Sequence, residues 1–308
     1  MTCEQGHQHW GLFGAAGLLA YVAHPTDQAL SVVLMQRRAE WSHQGGTWAL
    51  PGGAMDSEET PAEAALREAD EECMLDPTLV VPRGMYCDQH GGWTYHTVLA
   101  QAAEPLRVQA DAYESDEAVW LPAAQVDQLN LHPGFAASWP VLREALLPLT
   151  VIVDGTGITG PALTSDQPAD AGPRLRAQLT ELTRSGLGVL PAGVAVPPLS
   201  RWYPDYFLVL EETAAAAAAS SAAAEQARET NAAPRSGWNQ PPAVRTAAVR
   251  IVTAADGGAA SDVLTDLAAS TPGHRLVVSG RRPVRDRAAA AGATVTGPDW
   301  LLGLLQPG

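Results

Sequence analysis

The feature that most constrains this chain is one acidic segment, PGGAMDSEETPAEAALREADEECML, which runs from Pro51 to Leu75. Within it, Thr60, Pro61 and Glu63 have the spacing of a capping box with proline at the first helical position. We therefore expect a loop at WALPGGAM, where the glycine pair is a turn signal, and then a helix that starts at Thr60. Apolar residues then recur at helical spacing and form one stripe, which predicts a buried face: Ala62, Ala65, Leu66, Ala69 and Cys73.

Three carboxylates crowd together on this predicted helix. Glu68, Glu71 and Glu72 are spaced i, i+3 and i+4, so their side chains are neighbours. Like charges at this spacing cost about 0.2–0.5 kcal/mol per pair, and Arg67 is the one cation within the helix. A hard divalent cation removes the repulsion, and Gly52-Gly53 can bring a backbone carbonyl to the same ion. The alternative is a solvated acidic face, which is common on amphipathic helices.

The complete spacing resembles the Nudix box, G-x5-E-x7-R-E-U-x-E-E-x-G-U. Gly53 is followed by five residues, Glu59, seven residues and then the run from Arg67 to Glu72. Met74 stands where the box has its final glycine, which normally ends the helix in a left-handed conformation. Either Met74 adopts those angles at a cost of about 1–2 kcal/mol, or the turn is reshaped. No metal ligand is lost by this departure.

The resemblance extends over roughly residues 10–146, on stretches such as WGLFGAAGLL, GGWTYHTVLA and LHPGFAASWPVLR. These are similar to the MutT-type Nudix hydrolases of actinobacteria. The resemblance implies an α/β/α sandwich with a mixed sheet over residues 1–148. It also implies hydrolysis of a nucleoside di- or triphosphate to the monophosphate, with oxidised guanine nucleotides (8-oxo-dGDP, 8-oxo-dGTP) as substrates. Another Nudix substrate such as ADP-ribose, or a nucleotide-sensing regulatory role, stays open as an alternative.

The same resemblance implies a site for Mg²⁺ or Mn²⁺. Its ligands would be the carbonyl of Gly52 and the carboxylates of Glu68, Glu71, Glu72 and Glu114. The four carboxylates are also the candidates for catalysis, and their spacing does not decide which one is the general base. Glu117 is the nearest competitor of Glu114. The box residues Glu59 and Arg67 would order the loop and the helix through ion pairs.

Substrate contacts are implied at three further positions. Arg38 and His43 correspond to residues that contact the nucleotide in MutT-like enzymes, and an arginine offers a fork of donors to a phosphate or a purine carbonyl. His132 lies where MutT relatives have a loop that reads the base. Arg38 could instead be a solvated strand end and His43 an ordinary loop residue. Three tryptophans could stack on a base but are more often found in a core: Trp41, Trp48 and Trp93.

Composition excludes some classes of partner. The formal net charge is -15 over 308 residues, the acidic excess lies mainly in the first half, and the chain has no lysine. No basic stripe is available for duplex DNA or RNA, so we expect a small-molecule nucleotide substrate. Three cysteines without paired spacing indicate reduced thiols and a cytoplasmic protein. No targeting or transmembrane segment is evident, and no membrane partner is expected.

The second half has a different pattern. Strand and helix signals alternate through residues 149–308, which predicts a doubly wound parallel sheet. An alanine-rich stretch at about 213–242 has few large apolar groups, so we expect a mobile insertion there. The two halves together predict a chain of the α/β class with two domains.

This second half resembles the NYN group of PIN-like nucleases (YacP-like). Asp154 and Asp262 match acids that such nucleases use to bind Mg²⁺, but Arg281 stands where the family has an aspartate. An arginine there would take the place of the cation electrostatically. Two further positions depart from the family pattern: Gly157 and Ser261. We therefore expect a degenerate scaffold or interaction module that engages a protein partner.

Overall fold

The computed structural model describes residues 4, 6, 8, 9, 11–42, 44–162, 171–212 and 245–306. The chain divides into two compact units. The first comprises Met1–Pro148, Val196–Trp202 and Asn239–Thr246, and the second comprises Leu149–Ala195, Tyr203–Trp238 and Ala247–Gly308. The segment Val196–Trp202 returns to the first unit, which no sequence pattern had indicated. The predicted alanine-rich insertion lies outside the described residues.

The described strands and helices are numbered in chain order. The strands are β1 (Ala15–Val22), β2 (Val32–Arg38), β3 (Trp48–Ala49), β4 (Gly52–Ala54), β5 (Val80–Gln89), β6 (Thr94–Ala102), β7 (Ser115–Pro122), β8 (Leu149–Asp154), β9 (Arg201–Trp202), β10 (Asp205–Glu211), β11 (Val249–Ala254), β12 (His274–Val278) and β13 (Thr294–Thr296). The helices are α1 (Pro61–Cys73), α2 (Ala123–Val126), α3 (Pro133–Glu144), α4 (Gly155–Ala162), α5 (Ala171–Ser185), α6 (Gly257–Ser270), α7 (Arg282–Ala290) and α8 (Pro298–Leu305).

The first unit is built on a mixed sheet, as the sequence predicted. Its strands run in the order β3-β2-β1-β6-β5-β9, with β4 paired to β1 and β7 paired to β2. The β1–β6 pair is parallel, whereas β1–β2 and β5–β6 are antiparallel. Helix α1 packs its apolar stripe on this sheet, where Leu66 and Ala69 share a core with Leu18, Leu34 and Val98.

One prediction in this unit was wrong. The stretch WALPGGAM was expected to be a loop, but it contains strands β3 and β4. Strand β4 pairs with β1 in the register Gly17↔Gly52. The missing side chain permits this pairing, because a Cβ on Gly52 would lie 2.5 Å from the carbonyl oxygen of Ala16. Glycine at this position permits two backbones to approach closely. Sequence analysis had interpreted the same glycine as a turn signal.

Helix α1 begins and ends as local chemistry dictates. Thr60 is its N-cap, and both hydrogen bonds of the capping box to Glu63 are present. At the other end Met74 adopts the left-handed conformation, with φ 53° and ψ 31°. Its N–H donates to the carbonyl of Asp70 at 2.8 Å. Of the two alternatives for this turn, methionine therefore keeps the geometry usual for glycine instead of reshaping it.

The second unit contains the predicted parallel sheet. Its strands run in the order β11-β10-β8-β12-β13, and every pairing is parallel. Helix α4 follows β8 directly and was not predicted, because GTGITGPA is rich in glycine. The more specific PIN-like assignment stays a prediction. Across the described portions of both units, no helix combines the length and apolarity needed to cross a membrane.

Candidate active site

Glu72 is the deepest of the helix carboxylates. It is only 4% exposed. Its Oε2 accepts hydrogen bonds from the Gly52 N–H and from Nε2 of Gln36, both at 2.8 Å. Burial raises the pKa of Glu72 to about 8, since desolvation outweighs these two hydrogen bonds and the nearby Glu68 adds repulsion. Both donors are neutral, so the site disfavours a negative charge on Glu72.

Glu68 and Glu114 complete a field of negative charge around Glu72. Burial raises the pKa of Glu68, against the lowering effect of its hydrogen bond with Arg67, and Glu114 repels it further. Glu114 is exposed on the loop before β7 and also repels Glu72. Its competitor Glu117 lies 3.7 Å from Nε of Arg37 and pairs with that residue instead. Of Glu114 and Glu117, Glu114 is therefore the one whose charge acts on the carboxylates of helix α1.

Arg67 links helix α1 to the preceding loop through hydrogen bonds to Glu59 and Ala54. Its guanidinium contacts Glu59 at 2.8 Å, Glu68 at 2.9 Å and Glu71 at 3.0 Å. It also donates to the carbonyl of Ala54 at 3.1 Å. The carboxylates of Glu59 and Glu68 raise the pKa of Arg67 above its ordinary value, the hydrogen bond to Glu59 most strongly. Glu71 remains 60% exposed, so this ion pair is weakened by solvent.

Gly53 leaves room for the carboxylate of Glu68. A Cβ on Gly53 would lie 2.5 Å from a carboxylate oxygen of Glu68. Any larger residue would therefore push that carboxylate away. The glycine of the box consequently makes room for a side chain on the helix.

Gln36 is a residue of the candidate site that sequence reasoning missed. It is 1% exposed on β2 and donates to Glu72. Its Oε1 accepts hydrogen bonds from Ser115 at 2.8 Å and from Cys73 at 3.3 Å. These contacts fix the amide so that its N–H groups face Glu72. A single glutamine in an apolar strand gives no sequence signal, because its partners lie on other elements.

The acids offer the oxygen ligands that a hard cation prefers, but their side chains do not converge on one position. In the part of the chain with described coordinates, no three carboxylate, imidazole or thiol groups converge into a ready-made metal site. Gly52 turns its N–H toward Glu72, while Glu68 and Glu71 turn toward Arg67. The donors are nevertheless oxygens, which are the ligands that Mg²⁺ and Mn²⁺ prefer. Glu68 and Glu72 are also carboxylates whose negative charge is disfavoured by burial, so a cation would stabilise it. The residues therefore fit a divalent ion, provided that Glu71 leaves Arg67.

A cleft of about 230 Å³ opens beside Gly52. One of its walls comes from the β5–β6 hairpin, where alternate residues share a face. Tyr86 is opposite Thr97, and Asp88 is opposite Tyr95. Further lining comes from the start of α3 and from the strands near the acids: His132, Gly134, Phe135, Ser138, Arg38, Ala49, Leu50 and Gly52. The cleft is therefore aromatic and apolar, with a few polar groups.

The predicted substrate residues have different locations. Arg38 and His132 both line the cleft. His132 also caps α3, because its Nδ1 accepts from the Gly134 N–H at 3.2 Å. His43 lies outside the described residues.

The three candidate tryptophans lie in different environments. Trp93 lines the cleft and stacks on the His9 ring, with centroids 4.0 Å apart. Trp41 is 64% exposed and packs against Tyr113. Trp48 lies in β3 and is not part of the cleft lining.

The hairpin wall of the cleft could have been identified from the sequence. Its lining residues occur at every second position, at 86, 88 and 90 on one side of the hairpin and at 93, 95 and 97 on the other.

In the second unit, Asp154 is fully buried and already has a cation. Arg281 donates to both of its carboxylate oxygens at 2.8 Å. Its third nitrogen, Nη1, donates to Oγ of Ser261 at 3.0 Å. Asp262 is 69% exposed and pairs with Arg287 instead. The two aspartates that the resemblance grouped together thus have separate basic partners.

Comparison with known proteins adds independent information on the first unit. The family model described as NUDIX domain matches residues 15–145. A Mycobacterium tuberculosis protein with the provisional name 8-oxo-dGTP diphosphatase 3 is 47% identical over 159 residues, which are 49% of this chain and 70% of that protein. A Bifidobacterium longum protein, described as a nucleoside triphosphate pyrophosphatase/Nudix hydrolase fusion protein, is 39% identical over 46% of this chain and 30% of its own length. The crystal structure of a Nudix hydrolase from M. smegmatis, RenU, is 48% identical with a TM-score of 0.43, over 46% of this chain and 91% of that one.

Proposed function

Because this chain belongs to the Nudix family and is a Nudix hydrolase, we propose that its first unit hydrolyses a phosphoanhydride bond of oxidised guanine nucleotides. The substrates are 8-oxo-dGTP or 8-oxo-dGDP, and the product is the nucleoside monophosphate. The observation that carries the proposal is the buried carboxylate of Glu72, which lies against Gly52 at the edge of an aromatic cleft. A charged group disfavoured by burial next to a binding cleft is typical of a catalytic site.

The protein's own residues supply binding and orientation. The aromatic wall of the cleft takes a flat base, and the Arg38 guanidinium contacts a phosphate or a purine carbonyl. Gln36 and the Gly52 N–H hold Oε2 of Glu72 in one orientation. Arg67 keeps the loop and the helix together through Glu59 and Ala54. Water then attacks phosphorus in line, the anhydride P–O bond breaks, and the monophosphate leaves with phosphate or pyrophosphate as co-product.

Mg²⁺ or Mn²⁺ would be held by Glu68, Glu71, Glu72 and Glu114, with the carbonyl of Gly52. When bound, such an ion neutralises charge on the phosphoryl oxygens and lowers the pKa of its water. Glu72 holds a proton at neutral pH in the cation-free protein, since its pKa is about 8. Glu114 is exposed on the loop before β7 and remains a candidate for the general base.

A substrate panel tests this proposal. The full chain is given low micromolar 8-oxo-dGTP, 8-oxo-dGDP, dGTP or ADP-ribose with Mg²⁺ or Mn²⁺, and released phosphate is measured with a coupled phosphatase. We expect the oxidised guanine nucleotides to have the highest kcat/KM and to require the divalent ion. A preference for ADP-ribose would assign a different substrate to this site. If none of the four compounds is hydrolysed, the proposal is wrong.

For the second unit we propose an interaction role without metal-dependent nuclease chemistry. The contact that supports this is the pair of hydrogen bonds from Arg281 to Asp154. A carboxylate that is already neutralised by an arginine has little to offer a second cation. Incubating the full chain with single-stranded RNA and Mn²⁺ tests this, and cleavage that Asp154→Asn abolishes would contradict it.

A further inference from the structure

The cleft has two chemically different ends. At one end, the hydroxyl of Tyr95 approaches Gly52, where a Cβ would lie 3.0 Å from it. Gly52 is also the contact of Glu72, so this end adjoins the acids. The tip of the β5–β6 hairpin, with His90 and Trp93, lies farther along, because Trp93 is four residues before Thr97, the β6 residue in register with Gly17 and Gly52. A nucleotide with its phosphates at the acids therefore places its base toward the hairpin.

The size of the cleft agrees with this arrangement. Its volume of about 230 Å³ is below the roughly 300 Å³ of pockets that enclose a drug-sized ligand. It therefore suits a base better than a whole nucleotide. The hairpin end also has a flat wall, because the His9 ring lies on Trp93 with only 13° between their planes.

Asp88 differs from every other polar group in this cleft. It is the one carboxylate among the described lining residues, whereas Arg38, His9, His90 and His132 are basic. Nε2 of His90 lies 3.1 Å from Oδ2 of Asp88 and orients the carboxylate. The pairing of Asp88 with Tyr95 across the hairpin keeps both side chains on the face that lines the cleft. Asp88 was not among the residues that the sequence singled out.

An ionised carboxylate accepts hydrogen bonds and donates none. The Watson–Crick edge of guanine presents two adjacent donors, N1–H and N2–H, which match the two oxygens of one carboxylate. Adenine presents an acceptor at N1 beside a donor at N6, so one lone pair would face another. A site built for paired donors strongly rejects an analogue that lacks them.

We propose that Asp88, positioned by His90, selects guanine over adenine by accepting hydrogen bonds from N1–H and N2–H of the base. This assignment rests on the proposed function for the location of the phosphates. Guanine and 8-oxoguanine share this edge. Asp88 therefore determines which base is taken, and other groups of the cleft distinguish the oxidised base from the normal one.

Binding of product nucleotides tests this inference without catalysis. The full chain is dialysed to equilibrium against 8-oxo-dGMP, dGMP or dAMP in buffer without divalent ions. We expect wild type to bind both guanine monophosphates at least about 10-fold more tightly than dAMP. Asp88→Asn should lose that preference, because its amide offers one donor and one acceptor, while its dAMP binding stays equal or improves.

Two further variants make the test decisive. Asp127→Asn is the matched control, because Asp127 is also partly exposed and held by one basic residue, Arg143 at 2.7 Å, but does not line the cleft. It should bind all three ligands like wild type. His90→Gln retains the carboxylate and removes its imidazole partner, so it should lose part of the preference. It replaces Asp88→Asn as the test if that variant does not fold.

The outcomes separate this inference from the proposed function. Wild type without a guanine preference, or Asp88→Asn with the preference intact, overturns the role of Asp88 even if 8-oxo-dGTP is hydrolysed. A guanine preference that depends on Asp88, in a chain that hydrolyses no nucleotide, supports the role of Asp88 and removes the proposed function.

Discussion

Within the described residues, each unit of this protein buries one carboxylate, and the two are compensated in opposite ways. Glu72 receives hydrogen bonds from a backbone N–H and a glutamine, which are both neutral. Asp154 receives two hydrogen bonds from the guanidinium of Arg281. A buried charge is stable only when it is compensated. Asp154 is therefore compensated within the fold, whereas Glu72 either keeps a proton or requires an external cation.

Removing the cation of the second unit should have the largest effect. Arg281→Ala leaves Asp154 buried without its partner, which costs about 3–5 kcal/mol of unfolding free energy. Chemical denaturation of the full chain should show the transition of the second unit at lower denaturant. Arg281→Ala with Asp154→Asn should recover much of this loss, since no buried charge is left. Equal stability of Arg281→Ala and wild type would contradict the internal compensation of Asp154.

Removing the acid of the first unit should mainly affect turnover. Glu72→Gln preserves shape but removes the negative charge that Glu72 would carry with a divalent ion bound, so kcat should fall by about 10²–10³-fold, the scale of losing one electrostatic group from an active site. The assay is phosphate release from 8-oxo-dGTP. Glu58→Gln, on an exposed acid of the same segment, should retain the wild-type rate. A Glu72→Gln enzyme with full turnover would contradict the role of this carboxylate.

The proton on Glu72 should make the stability of the cation-free protein depend on pH. Its pKa rises from an ordinary 4.5 to about 8 on folding, so the folded state binds the extra proton between these values. Stability linked to this group is fully present below pH 4.5 and is lost as the pH rises through about 8, by an amount of the order of 4 kcal/mol between pH 5 and pH 9. The measurement is calorimetric unfolding from pH 5 to pH 9. The transition to follow is that of the first unit, which Arg281→Ala should leave unchanged.

Two comparisons check the origin of this pH dependence. Glu72→Gln should flatten it, while Glu58→Gln should keep the wild-type slope. Added Mg²⁺ should stabilise wild type more at pH 8 than at pH 5, because the ion competes with the proton. An unchanged slope in Glu72→Gln would assign the dependence to another group.

The end of helix α1 should give the smallest effect. Met74 is 60% exposed and has a φ of 53°, so its side chain contributes little packing while its backbone is strained. Met74→Gly should stabilise the first unit by about 0.5–1 kcal/mol, because glycine adopts this conformation without strain. Met74→Ala keeps the strain and is the matched control. Identical melting temperatures for the two variants would show that this turn is unstrained, and hydrolysis should stay unchanged in both.

Most secondary structure of this protein could be predicted because its signals are local. The capping box at Thr60 and the alternation of strands and helices after residue 149 depend on neighbours within a few residues. The spacing of Glu68, Glu71 and Glu72 likewise indicated where an acidic site would lie. Strand β4 was missed because Gly52 and Gly53 act through another strand, which the local sequence does not show.

The sequence by itself determined which acids share one helix, how that helix is capped and which half of the chain forms a parallel sheet. Only the tertiary structure decided that Glu72 turns inward to Gln36 and that Glu71 turns outward to solvent. It also joined Asp154 to Arg281 across 127 positions and assembled the cleft from β5, β6 and α3. The physical reason is that caps and periodicity follow from short-range hydrogen bonds. The partner of a buried charge depends instead on which distant elements pack around it.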